Sequence, residues 1–152
     1  MKPHAPVIRI YLDILNNELT KILSTNRIET MAELVEFFFS LQANIKLYHW
    51  MTTSFARHKA SDELVDSILE HSDKFMEVYI GKYGRDGIKQ RAPVVKVGQL
   101  DDRSIVKCID DAIKYLTNDV GRLLKKQDVD LFNIRDELVA SLNKTKYLFT
   151  LN

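Results

Sequence analysis

The sequence predicts an all-α fold: a four-helix bundle with one long crossover and an additional amino-terminal helix. Three observations predict it. Apolar residues recur every three or four positions through most of the chain, the mark of helices that bury one face. Five glycines and three prolines in 152 residues are few turn formers, and Gly81, Gly84, Gly87, Pro93 and Gly98 fall close together. The stretch they occupy is the one connection long enough to act as a crossover. No internal repeat or low-complexity tract divides the chain, so residues 1–152 read as a single domain.

The first predicted helix covers roughly residues 7–24, with Val7, Ile8, Tyr11, Leu12, Leu15, Leu19, Ile22 and Leu23 on its apolar side. Ser24, Thr25 and Asn26 break it. Thr30 and Glu33 have capping-box spacing, in which a hydroxyl and a carboxylate satisfy reciprocal backbone donors, and a second helix is expected over 30–51. Leu34, Val35, Phe37, Phe38, Phe39, Leu41 and Ile45 make it the most apolar of the set. After the polar link Met51–Ala56 comes a helix over 57–82, whose stripe is Leu64, Val65, Ile68, Phe75, Met76 and Tyr79. Ile88–Leu100 reads as extended or irregular. Asp101 and Asp102 place negative charge at the start of a helix over 102–126, where it complements the helix dipole. Lys125, Lys126 and Gln127 form a short return, and the last helix covers 130–150 through Leu131, Ile134, Leu138, Leu142 and Phe149.

Composition excludes several classes. A net charge of +1, with no long basic stripe, argues against a nucleic-acid footprint, so DNA is not an expected partner. No run of about 18 apolar residues exists to cross a membrane. Residues 1–10 lack the uninterrupted apolar core of a signal peptide, and an intracellular, cytoplasmic location is the expectation. Cys108 is the only cysteine, which removes an intrachain disulfide and leaves a small residue on an apolar stripe.

Chemistry concentrates between His49 and Glu77. His58 and Asp62 are four residues apart, as are Asp73 and Glu77, and eleven residues separate Asp62 from Asp73. These intervals put all four side chains along one side of a helix. The two pairs are about 16 Å apart along the axis, too far for one helix to bring both to a single ion. Two antiparallel copies related by a two-fold axis between Ser67 and Ile68 would set Asp62 opposite Asp73, and His58 opposite Glu77. Such a self-complementary dimer would hold two equivalent His/carboxylate sites across its interface. Mixed imidazole and carboxylate donors suit iron, zinc or manganese better than calcium. Helices rich in acids also present such spacings as plain solvated faces.

The same residues resemble the ferroxidase signature of the Dps mini-ferritins: a His-Trp pair at His49-Trp50, His-x3-Asp at His58 and Asp62, then Asp-x3-Glu at Asp73 and Glu77. The wording of this region is also similar to ferritin-like proteins of large DNA viruses, which would place the chain in a host cell or a virion. The resemblance implies a ferritin-like bundle and iron as the metal. It implies His49, His58 and Asp62 from one subunit, Asp73 and Glu77 from its two-fold neighbour, and Trp50 beside the site. It further implies a homo-oligomer, either a dimer or a dodecamer, that oxidises Fe(II) with peroxide or dioxygen and protects against oxidative stress. The interval from His49 to His58 is shorter than in that family, which leaves open whether His49 reaches the site. The competing readings are a metal-free helical module that binds a protein partner and, behind it, a DNA-compacting shell. His71, off the ligand line and with no carboxylate four residues away, reads as a surface histidine. The glycine-rich run from Gly81 to Gly87 follows no strand, which argues against a nucleotide loop.

Overall fold

The computed structural model describes residues 31–151. The helix expected over 7–24, the Thr30 cap and His4 lie outside the described residues. All regular structure among the described residues is helical. Helix α1 is described from 31 to 51, α2 is Phe55–Tyr83, α3 is Asp86–Gln90 and α4 is Ser104–Lys114. A π-helical turn, Tyr115–Val120, joins α4 to the short α5, Gly121–Leu123, and α6 is Val129–Leu148.

The directions of the long elements follow from their pairings. Lys46 meets Asp62 and His49 meets His58, so α1 and α2 are antiparallel. Along α2 and α6, Glu63 pairs with Lys144, Ser67 with Ser141, His71 with Glu137 and Lys82 with Asp130, which is again antiparallel. Phe37 stacks on Tyr115 while Tyr48 donates to Asp102, so the α4–α5 rod runs against α1. The resulting order is up, down, down, up. One crossover, residues 84–103, carries the chain from the end of α2 back to the start of α4.

Each helix buries a stripe into one core. On α2 it is Ala60, Leu64, Val65, Ile68, Phe75 and Tyr79; on α6 it is Leu131, Ile134, Leu138 and Leu142. Met31, Leu34, Phe38, Leu41, Ile45 and Tyr48 come from α1. Burying a side chain of this size contributes about 1.5–3 kcal/mol, so these stripes decide which face of each helix turns inward.

The rod after the crossover carries a feature that apolar periodicity does not reveal. Ala112, Leu116 and Val120 are spaced four and four, and in a regular α-helix Val120 would run ahead of Ala112 by about 80°. The wider π turn restores the phase, and Leu116 and Val120 are both buried.

Element ends differ slightly from expectation, for local reasons. Ser54, expected within a link, caps α2 by accepting from the Arg57 amide at 3.3 Å, so the helix starts at Phe55 rather than 57. Gly84 ends it with φ +82° and ψ 175°, a region open essentially to glycine alone, and donates its N–H to Ile80 O at 2.8 Å. Part of the run expected to be a turn, from Asp86 onward, is the single helical turn α3. Asp101 prepares α4: its carboxylate accepts from the Arg103 and Ser104 amides at 3.1 and 2.7 Å. Asp128, 2% exposed, holds the return into α6, accepting from the Tyr83 hydroxyl, the Lys125 amide and the Lys82 ammonium at 2.5, 2.8 and 3.1 Å.

Candidate metal centre

Two groups of side chains lie on α2, and their surroundings differ. At its amino-terminal end the turn over residues 52–54 folds α2 back on α1 and lays the His58 ring on His49, with centroids 3.9 Å apart and planes 23° apart. The two histidines exchange hydrogen bonds. His49 Nδ1 lies 2.9 Å from the His58 carbonyl, and His58 Nδ1 lies 2.9 Å from the His49 carbonyl. A carbonyl oxygen can only accept, so each Nδ1 carries a proton, and in the neutral form of either ring the lone pair is then on Nε2. A bond from Nδ1–H to a backbone carbonyl fixes the orientation and the tautomer of a histidine ring.

His49 Nε2 is 3.5 Å from Asp62 Oδ1, so the first histidine does reach the Asp62 carboxylate despite the short interval. Ser61, fully buried, donates to the His58 carbonyl at 3.0 Å and lies 3.4 Å from His49 Nδ1, bracing the hairpin beneath the rings. Lys46 Nζ donates to Asp62 Oδ1 at 3.2 Å and sits 5.9 Å from the centre of the Trp50 ring. The hydrogen bond from Lys46 holds the Asp62 carboxyl below its ordinary range, with the charges of His49, Lys46 and Lys59 acting the same way against partial burial. Trp50 itself is 70% exposed, and Met51 and Phe55 beside it are 51% and 78% exposed. An apolar patch therefore adjoins the histidines.

At the other end of α2, Asp73 and Glu77 are both exposed. No described residue forms a salt bridge or hydrogen bond with either side chain. Asp73 edges a groove lined by Phe38, Phe39 and Met76, and Glu77 edges a neighbouring one with Arg85 and Ile88. Among the described residues of one chain, no group of three or more His, Cys, Asp or Glu side chains converges to hold a metal. The single chain thus offers two separate half-sets, His49/His58/Asp62 and Asp73/Glu77.

Three participants were not apparent in the sequence reading. Lys46 could have been found, since it lies one helical turn before His49 on the same face. Ser61 carried no signal. His71 is not the free surface histidine expected: its side chain is only 15% exposed, its Nδ1 donates to the Ser67 carbonyl at 2.7 Å, and its Nε2 is 3.3 Å from Glu137 Oε2. That carboxylate comes from α6, beyond the reach of spacing rules within one helix. Cys108 is part-buried, and burial raises its thiol pKa.

The fold and these groups define a class: an all-helical protein with an imidazole/carboxylate cluster at one end of a long helix and a carboxylate pair towards the other. The chain belongs to DUF5856, a family of unknown function, whose pattern matches residues 49–149. The match begins at His49 and takes in every candidate ligand. No curated protein and no solved structure matches the chain. Among the described residues, no helix is long and apolar enough to cross a membrane.

Proposed function

We propose that the protein is a Dps-like, ferritin-like bundle that binds and oxidises Fe(II) at His/carboxylate sites shared across a two-fold interface between copies. The observation that carries this reading is the reciprocal bonding of His49 and His58. Nothing in simple helix packing requires two rings to be locked by each other's backbone with His49 Nε2 3.5 Å from a carboxylate. The up, down, down, up order with a single crossover supports the ferritin-like part of the reading. The exposed Trp50, Met51 and Phe55 support a partner surface next to the cluster.

In this reading Fe(II) is the substrate. Asp73 and Glu77 of one copy meet Asp62, His58 and His49 of the other, as their symmetric spacing about the middle of α2 requires. Anionic oxygens favour Fe(III) over Fe(II), which drives electron loss toward peroxide or dioxygen at coordination positions the protein leaves open. Two Fe(II) ions each give one electron to one peroxide, whose O–O bond breaks. Zinc or manganese fits the same donors. Lys46 must release Asp62 when a metal enters, so the side chain that neutralises this carboxylate in the free protein sets a cost on binding. That contact is also what favours the rival, a metal-free interaction module, because Asp62 already has a cation.

Anaerobic Fe(II) titration followed by peroxide, with ferric absorbance as the signal, tests the reading. Wild type should oxidise iron at saturable sites, and the Asp73→Ala, Glu77→Ala double variant should lose at least about a hundredfold in rate at low iron, beyond what loss of an outer-shell partner alone brings. Both side chains are exposed, so the variant should keep its helical content and melting temperature. Equal oxidation by the two proteins would remove the assignment and leave the module.

A further inference from the structure

The crossover between α2 and α4 contains an irregular segment whose alternate backbone amides are bonded along one side. Glu36, Ser40 and Asn44 are spaced four apart on one face of α1, and each accepts from a backbone amide of the crossover. Val94 N–H reaches Glu36 Oε1, Lys96 N–H reaches Ser40 Oγ, and Gly98 N–H reaches Asn44 Oδ1, all at 2.9 Å. Asn44 Nδ2 also donates to the Lys96 carbonyl at 2.7 Å, and Arg91 pairs with Glu36 at 3.0 Å. Helical side chains thus stand in for a neighbouring strand along one edge.

In extended chain the N–H and C=O of one residue point the same way and alternate from residue to residue, as Lys96 shows by using both against α1. The N–H and C=O groups of Val95 and Val97 therefore face the opposite edge. No described residue bonds to them, and Val94, Val95 and Val97 are 55%, 44% and 51% exposed. Among the described residues this is an open edge of extended chain built from strongly strand-forming residues and held on a helix. The segment itself is basic: between Gly87 and Leu100 the chain has Lys89, Arg91 and Lys96 and no acid, and with Arg91 paired to Glu36 the cations left over are Lys89 and Lys96.

We propose that residues 94–98 are a docking strand that captures an acidic, extended segment of another protein by strand addition. Backbone bonds to Val95 and Val97 supply the attachment, and Lys89 and Lys96 select acidic side chains on the incoming segment. Pairing with a second copy is disfavoured because it sets these same cations against one another. The inference is independent of the iron chemistry, since none of its residues is a candidate ligand.

The probe is a capped peptide of about eight residues alternating valine and glutamate, one strand in length, added to the full 15N-labelled chain. Binding should slow amide exchange at Val95 and Val97 at least about tenfold while leaving Val94, Lys96 and Gly98, already bonded to α1, little changed. Val95→Pro removes one outward N–H and should weaken binding at least about tenfold with the helical spectrum intact. A peptide N-methylated at alternate residues, tested on the unaltered chain, should fail in the same way and does not depend on the variant folding. The proposal is overturned if the glutamate peptide leaves both amides unchanged at millimolar concentration. It is equally overturned if the matching lysine peptide or a single-stranded oligonucleotide protects them as well, or if their protection rises with protein concentration alone.

Discussion

The two ends of α2 treat similar side chains in opposite ways. At the amino-terminal end, His49 and His58 are locked by each other's backbone, Asp62 is held by Lys46, and Ser61 is buried beneath them. Toward the other end, Asp73 and Glu77 stand exposed with no described partner, although Asp128, close to the same helix end, is buried and triply bonded. The buried Asp128 that serves the fold is thus saturated, Asp62 has one cation beside His49, and Asp73 and Glu77 have no described partner. A prearranged half-set where α1 meets α2 and an unpartnered half-set toward the other end of α2 are what a site completed by a second copy needs.

The strongest way to break this comparison is at the locked end. His58→Ala removes one Nε2 and the ring stacked on His49, and should weaken metal binding at least about a hundredfold. Titration with zinc, which avoids redox chemistry, would show it, and unaltered affinity would mean that the locked pair only packs.

Asp128 sharpens the contrast from the structural side. Burial opposes its ionisation, but the Tyr83 hydroxyl, the Lys125 amide and Lys82 outweigh it and hold the carboxyl below its ordinary range. A depressed folded-state pKa contributes stability that is present above the unfolded value, near 3.9, and is lost as pH falls through the folded value. Asp128→Ala should therefore cost about 2 kcal/mol at neutral pH in urea melts, and less below pH 4. Iron oxidation per folded molecule should stay unchanged, unlike the loss expected from Asp73→Ala with Glu77→Ala.

The smallest effect is expected at Lys46. Lys46→Ala frees Asp62, lets its carboxyl return toward the ordinary range, and should raise metal affinity by about threefold to tenfold near neutral pH, as an exposed pair is a modest competitor. Lower affinity would show that Lys46 supports the site instead of guarding it.

Much of the fold was legible because helical periodicity records burial directly. The large apolar residues of the α2 and α6 stripes were read correctly apart from the part-buried Met76, while the small or polar buried residues Ala60, Ser61 and Thr145 were missed, since Leu, Val, Ile and Phe at three- and four-residue steps mark the inward face and smaller side chains do not. The π turn was not legible, because a slip in phase between Ala112 and Val120 is resolved by backbone geometry rather than by residue type. The start of α2 was missed because its first residue, Phe55, points to solvent and its cap, Ser54, looked like loop. The candidate ligands were legible through spacing along one helix. Their contacts with other elements were not: the His71–Glu137 pair, the Lys46–Asp62 contact and the clasp of Glu36, Ser40 and Asn44 on the crossover all join separate elements.

The claim that each site is shared between two copies can be tested by mixing two inactive variants. One chain carries His58→Ala with Asp62→Ala, the other Asp73→Ala with Glu77→Ala, and the two are unfolded and refolded together. In a mixed two-fold dimer one site collects both damaged halves and the other collects both intact halves, so random mixing should restore about a quarter of wild-type Fe(II) oxidation. No recovery, with mixed dimers shown to be present by mass spectrometry, would contradict the shared site.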